Sequence, residues 1–168
     1  MPGPILTINA GSSTIKFGAF HWDGALQRLL TGNIEGIGRA QARLAATDLL
    51  RAQSYCVPVQ ASDHAEAADA LIDWLGGWKI RGSFRAVGHR VVHGGLRLNQ
   101  HQAITREVMD ALYCAQPLAP AHLPRQIVLI EAFERHLPGV SADRVPRHGI
   151  PPRDAENCAT PAYSPPLH

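Results

Sequence analysis

Eight residues near the N-terminus, Asn-Ala-Gly-Ser-Ser-Thr-Ile-Lys from Asn9 to Lys16, gather the groups that bind phosphate. Ser12 and Thr14 offer hydroxyls, Gly11 allows a tight turn, and Lys16 supplies a point charge. Lys16 is notable because only two of the 16 basic residues, Lys16 and Lys79, are lysine. The segment is not a Walker loop, which needs GxxxxGK[ST] opening a helix. Here a turn lies between two strand-like runs. The plain alternative is an ordinary β-turn, since Gly and Ser are turn residues on conformational grounds alone.

A second segment, GHRVVHGG from Gly88 to Gly95, sets Arg90 within an apolar run. A guanidinium there needs an anion or a carboxylate partner. On a strand Arg90 and Val92 share one face and His89, Val91 and His93 the other. Arg90 beside Val92 suits a small carboxylate with an apolar tail, and a structural ion pair is the equal alternative. A third segment, LAPAHLP, places His122 at a helix start between two prolines. The positive end of a helix suits a neutral imidazole that donates a hydrogen bond. A solvated histidine is the bland reading.

The elements that must carry these groups are those of an α/β protein. Ile5–Asn9, Thr14–Phe20 and Ala25–Asn33 read as three successive antiparallel strands, with Asp23-Gly24 as a hairpin turn. Residues 44–46 and 55–59 are weaker strands. Ser62–Leu75 is a helix with Ser62 as its cap and Ala65, Ala68, Leu71, Ile72 and Leu75 on one face. Phe84–Val92 reads as a buried strand, Thr105–Cys114 as a helix capped by Thr105, and His122–His136 as a last helix. The chain has 168 residues, 45% hydrophobic and 18% charged, which suits one domain. No apolar run is long enough to span a membrane, and MPGPILTINA, without a basic n-region or a long apolar core, is not expected to be a signal peptide. The three cysteines, odd in number and widely spaced, indicate neither a disulfide framework nor a zinc site. A net charge of +2 without a basic cluster argues against nucleic acid.

Together INAGSSTIKF, AVGHRVVHGG and LAPAHLP, in this order, resemble the acetate/propionate kinase family of the sugar-kinase, Hsp70 and actin superfamily. The resemblance covers residues 5 to about 140. It implies a ribonuclease H-like (actin-like ATPase) domain, incomplete, with a mixed sheet and flanking helices. It implies reversible phosphoryl transfer from ATP to acetate with Mg²⁺, giving acetyl phosphate and ADP, in the cytoplasm. By the same resemblance Asn9 lies beside the transferring phosphoryl group and its metal, and Ser12, Thr14 and Lys16 form the phosphate-side turn. Arg90 holds the acetate carboxylate, Val92 walls the methyl pocket, and His122 steadies the transition state. Family members are homodimers, an assembly not expected of this fragment. A propionate or butyrate kinase fragment and a stand-alone small-anion or phosphate-binding module are the alternatives. Two positions depart from the family: Ala121 stands where a pocket Leu is usual, and Leu123 where an Asn is usual.

Residues 141–168 differ from the rest. They hold six of the 13 prolines and show no hydrophobic period, so they are expected to be disordered. Read one nucleotide later, codons for Arg147 to Pro152 can encode Asp-Thr-Ala-Phe-His, a motif of the family. The expectation is therefore an N-terminal domain over 1–140, a frameshifted tail over 141–168, and a truncated chain inactive by itself.

Overall fold

The computed structural model describes residues 3–77, 84–92, 98 and 100–137. The expectations for residues 141–168, for a boundary near Val140 and for His93 lie outside those residues. Six strands form one sheet: β1 (Ile5–Ala10), β2 (Thr14–Trp22), β3 (Leu26–Glu35), β4 (Ala42–Asp48), β5 (Gln53–Val59) and β6 (Ala86–His89). Their order is β5-β4-β3-β2-β1-β6. Strands β1 to β5 run as an antiparallel meander, and β6 joins β1 in parallel. Three helices complete the chain: α1 (His64–Gly77), α2 (Arg106–Ala115) and α3 (Leu123–His136). Among the described residues no helix is long and apolar enough to cross a membrane.

Period-two alternation sorts the strands into two faces. Leu6, Ile8, Ile15, Phe17, Ala19, Leu30, Ile34, Leu44 and Ala46 are buried in one cluster with Ala67, Leu71, Leu75, Leu129 and Phe133. That face is covered by α1 and α3. Thr7, Asn9, Thr14, Lys16, Thr31 and Asn33 take the alternate positions and face the other way. A second cluster joins α2 to α3 through Leu112, Ala115, Leu123, Ile127 and Ile130.

The cap of α1 is Asp63 rather than Ser62. The Asp63 carboxylate accepts from the Ala65 and Glu66 amides at 2.8 and 2.9 Å. The Ser62 amide instead donates to Glu66 Oε2 at 2.8 Å, so both residues close the helix start reciprocally. His64 and Ala67, not Ala65, join the buried face. Thr105 caps α2 as expected, accepting from the Val108 amide.

The run Phe84–Val92 is strand only over Ala86–His89, the residues that pair with Ile5–Ile8 of β1. The Arg90 amide adds one bond, to Ile8 O at 2.9 Å, and the ladder ends. His89 faces the covered side, its ring edge-on to Phe133 with centroids 5.7 Å apart. Burial lowers its pKa from 6.5 to about 4, because a charged imidazole there would be desolvated.

Two measurements follow. A Cβ on Gly32 would collide with the Phe17 ring and sit 2.7 Å from Ala45 O. Gly32→Ala should cost about 1–3 kcal/mol by overpacking, read as a lower urea midpoint at unchanged slope. His89 gives a pH dependence of definite sign. As pH falls from 6.5 towards 4 the unfolded histidine takes up a proton and the folded one does not, so stability drops through that window. The loss should be on the order of 1–3 kcal/mol. It is obtained by comparing urea unfolding at high and low pH in the wild type and His89→Leu. Equal drops in the two proteins would clear His89 as the source.

Candidate active site

The turn between β1 and β2 is built by one tight backbone bond, from the Gly11 amide to Thr14 O at 2.7 Å. A Cβ at residue 11 would run into Thr14 Oγ1, so any other residue there displaces the Thr14 hydroxyl. Two further bonds anchor the turn from elsewhere. The Ile37 amide donates to Ser13 O at 3.1 Å. His64 Nε2, from the start of α1, lies 2.9 Å from Gly11 O. Ser12 is exposed and Thr14 partly so.

Just beyond the turn Asn9 and Lys16 are direct cross-strand partners, so both side chains leave the sheet on its polar face. That face bears a hollow of about 440 Å³ whose lining includes Asn9, Lys16, Arg28, Gly88, Arg90 and His101. Lys16 and Arg90 thus meet one space, and Arg28, held over the Phe20 ring at 5.3 Å, adds a third cation. The described lining contains no carboxylate. Three cations without a built-in counter-charge suit an anionic ligand. Among the described residues no group of three or more His, Cys, Asp or Glu is placed to hold a metal ion.

Val92 lies past the end of β6 and is 55% exposed. Its amide donates to Gln126 Oε1 at 3.3 Å. Gln126 is buried on α3, and its own amide bonds His122 O at 3.3 Å. The segment carrying Arg90 and Val92 is therefore tied to the first turn of the helix that His122 opens. His122 itself is exposed and its side chain caps nothing. It stands outside the described lining of the hollow, as do Ser12, Thr14 and Val92. The structure thus brings Asn9, Lys16 and Arg90 into one hollow. It sets Ser12 and Thr14 in the adjoining turn, and joins Val92 to the His122 end of α3 through Gln126.

The two departures in the third motif have different settings. Leu123 is fully buried in the α2–α3 cluster, so an apolar residue there is packing. Ala121 is exposed, and its carbonyl accepts from Arg125 Nη1 at 2.5 Å, which holds the loop by another route. Sequence reasoning missed His64, Gln126 and Arg28. His64 meets a turn 53 positions away and Gln126 a strand end 34 positions away, so local periodicity carries no trace of either. The one available signal for His64 was a histidine directly after an acidic helix cap.

The sequence profile of the Acetokinase family matches residues 4–146. The acetate kinase of Thermotoga petrophila is 36% identical over 141 residues, covering 81% of this chain and 34% of that protein. That of Deinococcus deserti is 36% identical over 160 residues, covering 93% of this chain and 39% of its own. The chain spans about a third of the length of such curated relatives. Among solved structures, a Porphyromonas gingivalis acetate kinase superposes with a TM-score of 0.73 at 28% identity, over 83% of this chain and 36% of that one. A Francisella tularensis propionate kinase does so with a TM-score of 0.74 at 26% identity, over 83% of this chain and 35% of the other. The six-stranded mixed sheet with helices against it is accordingly an actin-like ATPase fold, with an antiparallel run of five strands where three were expected. By the extent of the matched profile, and by relatives and folds that agree with it, the chain belongs to the Acetokinase family.

Proposed function

We propose that these residues are the acetate and γ-phosphoryl side of an acetate kinase site. The reaction is ATP plus acetate to acetyl phosphate plus ADP, reversible. The observation that carries the reading is the shared hollow: Lys16 lines it from β2 and Arg90 from just past the end of β6, on the other side of β1, and its described lining holds no carboxylate. Arg90 grips the acetate carboxylate with its planar fork, and Val92 borders the methyl group. An acetate oxygen attacks the γ-phosphorus, a P–O bond forms, and ADP leaves with its electron pair. Lys16, the Ser12 and Thr14 hydroxyls, the Asn9 amide and His122 face the charge that develops on the phosphoryl oxygens.

The phosphate groups of ATP fit this donor set. Mg²⁺ does not fit these residues by themselves, since the cation asks for carboxylate oxygens and the site offers the Asn9 amide oxygen. No step is assigned to it. A cytoplasmic place follows from ATP and acetate as substrates. A somewhat longer acyl chain is the second reading. It is favoured by Ala121, smaller than the family's Leu, and by the likeness to a propionate kinase structure.

The 168-residue chain supplies the test. It should bind acetate and inorganic phosphate, followed by amide shifts in NMR titration, and form no acetyl phosphate above background with ATP. Arg90→Ala should weaken acetate by about 10–100-fold, the worth of a charge-assisted carboxylate contact, and leave phosphate nearly unchanged. Acetyl phosphate production by the chain alone would refute the one-sided site, and acetate binding that survives Arg90→Ala would refute the role of Arg90. Propionate binding tighter than acetate would favour the second reading.

A further inference from the structure

The phosphate-side turn depends on a residue outside its own hairpin. Gly11 O lies 2.9 Å from His64 Nε2, and His64 is only 9% exposed. A carbonyl oxygen only accepts, so the ring carries its proton on Nε2 at that contact. The peptide joining Gly11 to Ser12 is planar, and the chain has no cis bonds in its described part. In a trans peptide the C=O and the following N–H point in opposite directions. Holding the Gly11 carbonyl against α1 therefore aims the Ser12 amide away from α1. That amide has no hydrogen-bond partner among the described residues. The other tie, from the Ile37 amide to Ser13 O, secures the Ser13–Thr14 peptide.

We propose that His64 is a positioning residue: through the Gly11 carbonyl it presents the Ser12 N–H as a donor to a phosphate oxygen at the turn. The role rests on the phosphate-binding reading of residues 11–16 given above. His64 touches neither substrate, and its effect is confined to the phosphate side. The acetate side is fastened separately, through Val92 and Gln126. A histidine that merely filled space at the helix start would affect stability alone. One that orients the turn sets phosphate affinity at constant fold.

The experiment uses the ¹⁵N-labelled 168-residue chain, with inorganic phosphate and acetate titrated separately. In the wild type the His64 ring nitrogens should report the Nε2–H tautomer, and the Ser12 amide should shift on phosphate addition. His64→Leu should weaken phosphate about tenfold, the worth of one oriented hydrogen bond, and leave acetate within about twofold. His64→Gln, whose side-chain amide nitrogen can occupy the place of Nε2, should restore most of the loss. A folded His64→Leu chain that binds phosphate like the wild type overturns the proposal, and so does one that loses both anions alike. Should His64→Leu fail to fold, a folded His64→Gln chain decides: phosphate affinity near wild type supports the role, and a tenfold loss overturns it. An Nδ1–H tautomer overturns it without any ligand. A wild-type chain that binds no phosphate at all refutes the phosphate reading of the turn itself, and the role falls with it. Normal wild-type binding with an inert His64→Leu change refutes His64 alone.

Discussion

The pairing register of β1 against β2 is the constraint from which the site follows. Leu6 opposes Ala19 and Ile8 opposes Phe17, and all four are buried under the helices. The alternate pair, Asn9 and Lys16, is thereby committed to the polar face. A slip of one residue would drive the Lys16 ammonium under α1 and expose Phe17. Hydrophobic packing on one side of the sheet thus decides where charge stands on the other. Parallel pairing of β6 with β1 extends the same rule: Ile8 opposes His89, which goes to the core against Phe133, and Arg90 follows on the polar side.

Much of this framework was legible in the chain. β1 and β2 are apolar and β-branched around a glycine–serine turn, and the hairpin at Asp23-Gly24 forms with Gly24 at φ 73°. The outer strands were harder. β4 alternates, but its buried positions are Ala42, Leu44, Ala46 and Asp48, so small and charged residues hide the pattern. Asp48 is fully buried because it caps the following turn, accepting from the Leu50 and Arg51 amides and pairing with Arg51. β6 was read too long because its ladder with β1 stops at His89, a limit that no local pattern reveals. At the hollow, the residue types and their order singled out Asn9, Lys16 and Arg90, which line it together, whereas Arg28 joins them only through the pairing of β3 with β2.

The polar face owes its character to what is absent from its lining as much as to what is present. Lys16, Arg28 and Arg90 face the hollow without a carboxylate among the described lining residues. Such an arrangement costs self-repulsion in the free chain, moderated by solvent screening because Lys16 and Arg90 are exposed. That cost is relieved when an anion enters. A site that stored an internal ion pair would have to break it first.

The anchorages of the two halves come from different helices. α1 reaches the turn through His64 and Gly11, while α3 reaches Val92 through Gln126. Both helices pack on the same face of the sheet, yet neither tie uses an atom of the other. Substitutions in the first turn of α3, which packs on α2, can therefore alter the surroundings of Val92 while the β1–β2 turn stays as it is. For a lineage, this is modularity. The end of the hollow near Val92 can drift under selection without disturbing the turn between β1 and β2, and variants of one scaffold can diverge by few steps.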